Sequence, residues 1–202
     1  MILEEHTLPM EFVTDCTNIL MGYGGAYREL CEERRVGNLD DYDDAINLHQ
    51  FGMTYAMIKH SSSPLDGKRV LHLAANLGLF LEFLVKNEGV TGSGIDKSTM
   101  AVNFAKQHTD LDLVVGGAES LPSSLTGPYD IVIAHQFFDP DYLRGERIIA
   151  DAVKEAFKVL DDGGRLVICN GSVKDYMLIG LPIAKVVNYT NGALRNSVIH
   201  KC

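Results

Sequence analysis

The sequence has no apolar run approaching the roughly 20 residues that a membrane-spanning helix needs, and it has no long basic run. The first absence removes any expectation of a membrane span. The second, with a net charge of −9, disfavours binding driven by nucleic-acid phosphates. Cysteine is sparse and scattered: Cys16, Cys31, Cys169 and Cys202 form no metal-ligand pair. They read as reduced, mostly structural thiols of a cytoplasmic protein. The opening Met1-Ile2-Leu3-Glu4-Glu5-His6 is acidic, not a basic segment followed by an apolar core, so no secretory signal is expected. Internal repeats and low-complexity segments are missing as well. What is present is 202 residues at 46% apolar content, enough for one full core in one compact domain. The expected partner is a small molecule or a protein.

The stretch from Val70 to Phe80 organises the rest. Val70-Leu71-His72-Leu73 is apolar apart from His72 and follows the mostly polar segment Ser61 to Lys68, as a buried first strand would. Small residues and Gly78 come next, then an apolar-rich run, Leu79 to Lys86, at helical spacing. A strand, a small-residue turn and a helix start place free backbone N–H groups at the carboxyl edge of a sheet, where open α/β folds bind ligands. A plain strand-to-helix connection without a ligand has the same local pattern.

Upstream, residues 8–60 read as helical. Glu11 to Leu20 suits a helix that gives way to the Gly-rich Met21 to Tyr27. Arg28 to Arg35 is a charged helical piece stopped at Gly37, and Asn38 to Asp41 can cap a helix running to about His60. Downstream the pattern is strand, helix, strand, repeated. Val90–Asp96 reads as a strand and Ser98–Gln107 as its helix. Leu111–Val115 and Tyr129–Ala134 are further strands, Tyr142–Leu160 a long helix, and Arg165–Cys169 a fifth strand. Such alternation implies a parallel sheet with right-handed crossovers. Val173 to Ile179 could be a short helix. Asn191-Gly192, flanked by Val186–Thr190 and Leu194–His200, is the strongest short hairpin signal and ends the sheet in an antiparallel pair.

That order of elements resembles the class I S-adenosylmethionine-dependent methyltransferases over roughly residues 66–202. Four local signatures carry the resemblance: the 70–80 stretch, which sits where the family has acid-x-Gly-x-Gly-x-Gly; Ser93-Gly94-Ile95-Asp96, ending a strand in an acid; Gly117-Ala118-Glu119-Ser120-Leu121-Pro122; and the helix-to-strand joint from Val153 through Gly163-Gly164 to Ile168. The resemblance implies a Rossmann-like α/β core with a mostly parallel, seven-stranded sheet ending in an antiparallel hairpin. Residues 1–65 would then form a helical lid over the core of residues 66–202. Tyr23 and Tyr27, with His49, Phe51 and Tyr55, would suit a lid, or ordinary helix packing.

It also implies S-adenosylmethionine as cofactor, held by His72, Ala74, Ala75, Asn76, Gly78, Asp96, Lys97, Gly117, Ala118, Glu119 and His135. Asp96 follows Gly78 at a distance near the ~20 residues expected of an acid accepting from ribose hydroxyls, the favoured reading; the alternative is that it merely caps the next helix. Ala118 is small enough for an adenine ring to approach the backbone, while Glu119 more naturally faces solvent or caps a turn. His135, just past the Tyr129–Ala134 strand, could be a catalytic general base, since an ordinary histidine titrates near ~6.5. It could also be a plain pocket wall.

The chain departs from the family at this loop. His72 replaces the usual Asp or Glu, Ala74 and Asn76 replace two glycines, and Gly117 replaces an acid. Glycine serves positive φ and close approach, and Asn is the next most tolerant of left-handed dihedrals. No metal site is expected, because Asp139 and Asp141 alone do not make the set of hard oxygen ligands that magnesium requires. The readings in play are a small-molecule methyltransferase, with a homodimer left open, and a non-catalytic relative that binds a partner or ligand. A nicotinamide-dependent dehydrogenase would need Gly-x-Gly-x-x-Gly, which the 74–79 loop does not supply. The Ala134–Phe138 joint is also not the Asn-Pro-Pro-Tyr-like motif of enzymes acting on DNA bases.

Overall fold

Strands buried on both faces should read as nearly unbroken apolar runs, and the centre of the sheet obeys this. In β2 (Arg69–Leu73) every residue but Arg69 is buried, and β5 (Tyr129–His135) is buried at all positions but Asp130. The computed structural model describes residues 2–33, 44–62, 64–135, 146–169, 173–191 and 194–202. Around β2 and β5 lie β3 (Thr91–Asp96), β4 (Asp112–Val115), β6 (Leu160–Cys169), β7 (Ile183–Asn191) and β8 (Leu194–Lys201), with β1 (Ile2–His6) at one edge. The spatial order is β1-β7-β8-β6-β5-β2-β3-β4. Among the described residues only β8 runs against its neighbours, β6 and β7. Its end-to-end pairing with β7, Asn191 opposite Leu194, is the expected hairpin.

The sheet thus has eight strands rather than seven. The eighth is β1, which lies parallel to β7 with Ile2 opposite Lys185 and His6 opposite Tyr189. It is an edge strand, and Ile2 and Leu3 remain exposed on it.

Helices cover both faces. α1 (Met10–Glu33), α2 (Asp44–Ser61), α3 (Leu79–Glu88) and α4 (Thr99–His108) contribute to one core with Val70, Ile131, Ile133, Val167 and Cys169 of the sheet. α5 (Glu146–Val159) covers the other face through Ile149, Ala152, Val153, Ala156 and Phe157, the three- and four-residue spacing of an amphipathic helix. Ser98 caps α4 by accepting from the Ala101 amide at 3.2 Å.

Two elements run on past their expected ends. α1 does not give way at Gly22 but continues to Glu33. Val13, Cys16 and Leu20 bury one stripe of it, so tertiary packing outweighs the ~1 kcal/mol each helical glycine costs. It also lies unusually close to α2: a Cβ on Gly52 would stand 2.9 Å from the Thr17 Cα. β6 likewise begins at Leu160, taking in Asp161 to Gly164 before the expected start at Arg165.

Candidate functional site

In this strand order the chain runs outward from β2 through β3 to β4, then returns to start β5 on the other side of β2. Crevices at the carboxyl ends of strands where the direction of winding reverses are where open α/β sheets bind ligands. The ends of β2, β3, β4 and β5 gather here, and with them the residues expected to hold the cofactor, from His72 to Gly78, Asp96, Lys97, Gly117 to Glu119 and His135.

The loop after β2 is held in a tight form. Ala74 and Asn76 both take left-handed dihedrals, φ 54° and 50°, and Gly78 follows at 80°. Asn76 holds the turn as its tolerance allows. Ala74 does so at a cost of ~1–2 kcal/mol, because its Cβ crowds the following carbonyl. The two residues that replaced glycines have therefore kept a glycine-like backbone. Gly78 caps α3 from the same region of dihedral space. The Ala75 amide continues the sheet pattern by donating to the Ile95 carbonyl at 3.0 Å.

Asp96 ends β3 and ties two loops together. Its Oδ2 accepts from the Asn76 amide at 2.7 Å and its Oδ1 from the Ser98 amide at 2.8 Å. A carboxylate oxygen has two acceptor positions, so each keeps one after these bonds. Asp96 is thus more than the helix cap considered from sequence; Ser98 has that task.

Beyond β4, Ala118 is buried in the core and Gly117 leaves room for its neighbour Glu119. Glu119 does not simply face solvent. It folds back so that a Cβ on Gly117 would stand 2.5 Å from both carboxylate oxygens, and Oε1 meets the Lys97 ammonium at 2.8 Å. Burial works against the charge, but the bond from Lys97 holds the carboxyl below its ordinary pKa. Lys97 is largely exposed, so screening leaves this pair little weight in stability. Among the described residues Glu119 Oε2 has no hydrogen-bond partner.

Two histidines lie on the α2 side of the sheet. His72 stands opposite Ile133 in the β2–β5 ladder, and His135 follows Ile133 by two residues, so all three share a face. His72 is 2% exposed and His135 6%. Among the described residues neither nitrogen of His72 has a hydrogen-bond partner, and neither does His135 Nε2. Burial pushes the His72 pKa down to about 4. Burial, with the nearby His72, pushes that of His135 down to about 3. Both imidazoles are neutral near pH 7, so the ordinary histidine pKa that suggested a general base from the sequence is not the one His135 has here.

α2 supplies the rest of the surroundings. The Thr54 hydroxyl lies 2.9 Å from His135 Nδ1 and 2.9 Å from the Gln50 carbonyl. The Phe51 ring packs on His135 at 4.4 Å and stacks on Phe80 at 5.2 Å, and Phe80 meets His72 edge-on at 5.9 Å. Cys169, opposite His135 on β6, points its thiol at the Gln50 carbonyl. Burial raises its pKa to about 12, so it is no nucleophile. Tyr55 turns away to Glu88 and the Phe83 ring on α3. Sequence reasoning missed Thr54, whose only signal was its place one turn beyond Gln50 on the candidate lid helix. The side chains of Tyr23, Tyr27 and His49, and the residues Gln136 to Asp141 and Asn170-Gly171, lie outside the described residues. Among the described residues no three His, Cys, Asp or Glu side chains are placed to hold a metal ion, and no helix is long and apolar enough to cross a membrane.

No protein-family model matches the chain, and no curated protein matches it by sequence. Solved structures do match. A TehB-like SAM-dependent methyltransferase from Corynebacterium glutamicum superposes with a TM-score of 0.60 at 20% identity, over 88% of this chain and 98% of that one. The [4+2]-cyclase SpnF superposes with a TM-score of 0.51 at 17% identity, over 68% of this chain and 59% of that one. At these identities the likeness speaks to architecture, and it agrees with the strand order and terminal hairpin described above: this chain has the fold of the class I S-adenosylmethionine-dependent methyltransferases.

Proposed function

We propose that the protein binds S-adenosylmethionine at the carboxyl ends of β2 to β5 and transfers its methyl group to a small molecule. The observation that carries this reading is Asp96, at the reversal of the sheet, with an unused acceptor position on each oxygen. Two vicinal hydroxyls of a ribose suit that pair of acceptors. At the other end of the loop, the two orphaned nitrogens of His72 stand where the family places an acid, and a neutral imidazole can accept from an amino group as a carboxylate does. Ala74, Ala75, Asn76 and Gly78 form the turn against which the cofactor lies, and Lys97, Gly117, Ala118 and Glu119 border its base. The residues fit the group. When bound, it supplies an electrophilic methyl on a positively charged sulfur. His135 lines the acceptor side, where Nε2 receives a hydrogen bond from the substrate, and α1 and α2 act as the lid that excludes water.

A small-molecule acceptor is favoured over a polyanion by the net charge of −9. The unpaired thiols of Cys16, Cys169 and Cys202 support a reducing, cytoplasmic setting. A second reading, a relative with this fold that does not transfer methyl groups, is favoured by the lost acid at His72 and the strained Ala74. The cyclase among its structural neighbours shows the fold serving another activity. Calorimetric titration with S-adenosylmethionine and with S-adenosylhomocysteine decides between them. Micromolar binding of either is expected; no binding at millimolar ligand by a folded sample would overturn the first reading.

A further inference from the structure

The hydrogen bonds around Thr54 determine which nitrogen of His135 carries its proton. A carbonyl oxygen has no hydrogen to give, so the 2.9 Å contact between Thr54 Oγ1 and the Gln50 carbonyl is favourable only if the Thr54 hydroxyl proton lies in it. Thr54 has one such proton. Its 2.9 Å contact with His135 Nδ1 must then be filled from the histidine side, with Nδ1–H donating to Oγ1. Neutral imidazole carries one N–H, so Nε2 is left as a bare lone pair, and no described group satisfies it. An unmet acceptor in a buried site destabilises the ligand-free protein and is relieved by a hydrogen-bond donor.

We propose that Thr54 is a positioning residue that fixes His135 as an acceptor at Nε2, so that the site takes a substrate bearing an uncharged hydroxyl or N–H donor and rejects a carboxylate. This specifies the substrate class of the function proposed above and rests on it. A carboxylate would set its own lone pairs against that of Nε2, whereas a hydroxyl fills it. The Phe51 and Phe80 rings beside the two histidines add an apolar wall that favours an uncharged ligand.

The test is nitrogen NMR of protein labelled with 15N at histidine, where protonated and bare ring nitrogens resonate far apart. Wild-type His135 is expected to show a protonated Nδ1 and a bare Nε2. Thr54→Val, which keeps the shape and removes the hydroxyl, should mix the two tautomers or reverse them, and Thr54→Ser should restore the wild-type spectrum. A wild-type spectrum with the proton on Nε2, or one that Thr54→Val leaves unchanged in a folded protein, would overturn the assignment. Phenol and benzoate, added to the protein saturated with S-adenosylhomocysteine, test the substrate class with one ring and two polar groups. A shift of the Nε2 resonance with phenol and none with benzoate is expected. An equal response to both, or to neither, would refute the preference for donors. Affinity for S-adenosylhomocysteine is read separately and should stay within twofold in Thr54→Val. If wild type fails to bind it, the methyltransferase reading falls while the tautomer result stands.

Discussion

Acidification should unfold this protein through His72 and His135, and the size of the effect follows from their burial. In the unfolded chain both titrate near ~6.5. In the fold they stay neutral down to about 4 and about 3. The folded pKa values are depressed, so below ~6.5 the unfolded state binds protons that the native state refuses, and stability falls as the pH drops. It is fully present above ~6.5 and is lost progressively until the folded values are reached. At pH ~4.5 each histidine costs about 2–3 kcal/mol relative to pH ~7.5, or about 5 kcal/mol together. That is comparable with the whole stability of many domains, ~5–15 kcal/mol. Urea denaturation followed by circular dichroism at several pH values between these limits measures it. His72→Leu should remove about half of the difference. It should also leave stability at neutral pH unchanged or raised by ~1–2 kcal/mol, since it deletes two buried nitrogens without partners. Asp130, which Lys68 and the Arg69 amide hold below its ordinary pKa against the effect of burial, also loses stability on acidification, but equally in both proteins. Identical pH dependence in wild type and His72→Leu would refute the argument.

The other expectations concern the loops and helices that frame the site. Asp96→Ala should weaken S-adenosylhomocysteine binding at least tenfold, about 1.4 kcal/mol, as read by calorimetry; unchanged affinity would remove Asp96 from the ribose site. Ala74→Val should lower stability by ~2 kcal/mol, because a β-branched side chain tolerates φ 54° less well than alanine, while Ala74→Gly should raise the urea midpoint, because it removes the Cβ that crowds the backbone there. Gly52→Ala should cost ~1–3 kcal/mol, since its Cβ would meet the Thr17 side chain and backbone. Thr17→Ala should rescue it only in part, because the Thr17 Cα is one of the atoms in the way.

The central part of the sheet was legible because its evidence is local. Buried strands such as Tyr129–His135 announce themselves as apolar runs, the acid at Asp96 and Gly78 mark joints, and Asn191-Gly192 marks a hairpin. What escaped the sequence depends on contacts between distant segments. β1 has five residues, three of them polar, and becomes a strand only because β7 offers an edge. The continuity of α1 through its glycines comes from packing on its neighbours. Glu119 folds back through the space above Gly117 and toward Lys97, which no spacing rule encodes. His135 was visible as a residue, but its protonation was not. Its partner Thr54 lies 81 positions earlier, and its pKa is set by a helix and a second histidine that close over it.

The pairing of β1 with β7 has a consequence for the order in which the protein is made. Ile2–His6 are made well before their partners Lys185–Tyr189, which lie more than 170 residues further along. At roughly 5–20 residues per second, translation separates the two by on the order of ten to forty seconds. In that interval β2 to β6, with their crossover helices, are all available to assemble, while Ile2 and Leu3 wait without a neighbour. The half of the sheet that carries the candidate site can therefore form during synthesis. The far edge, with its exposed apolar pair, closes only once β7 has been made, and until then β1 is a strand without its partner, open to a chaperone or to a neighbouring nascent chain.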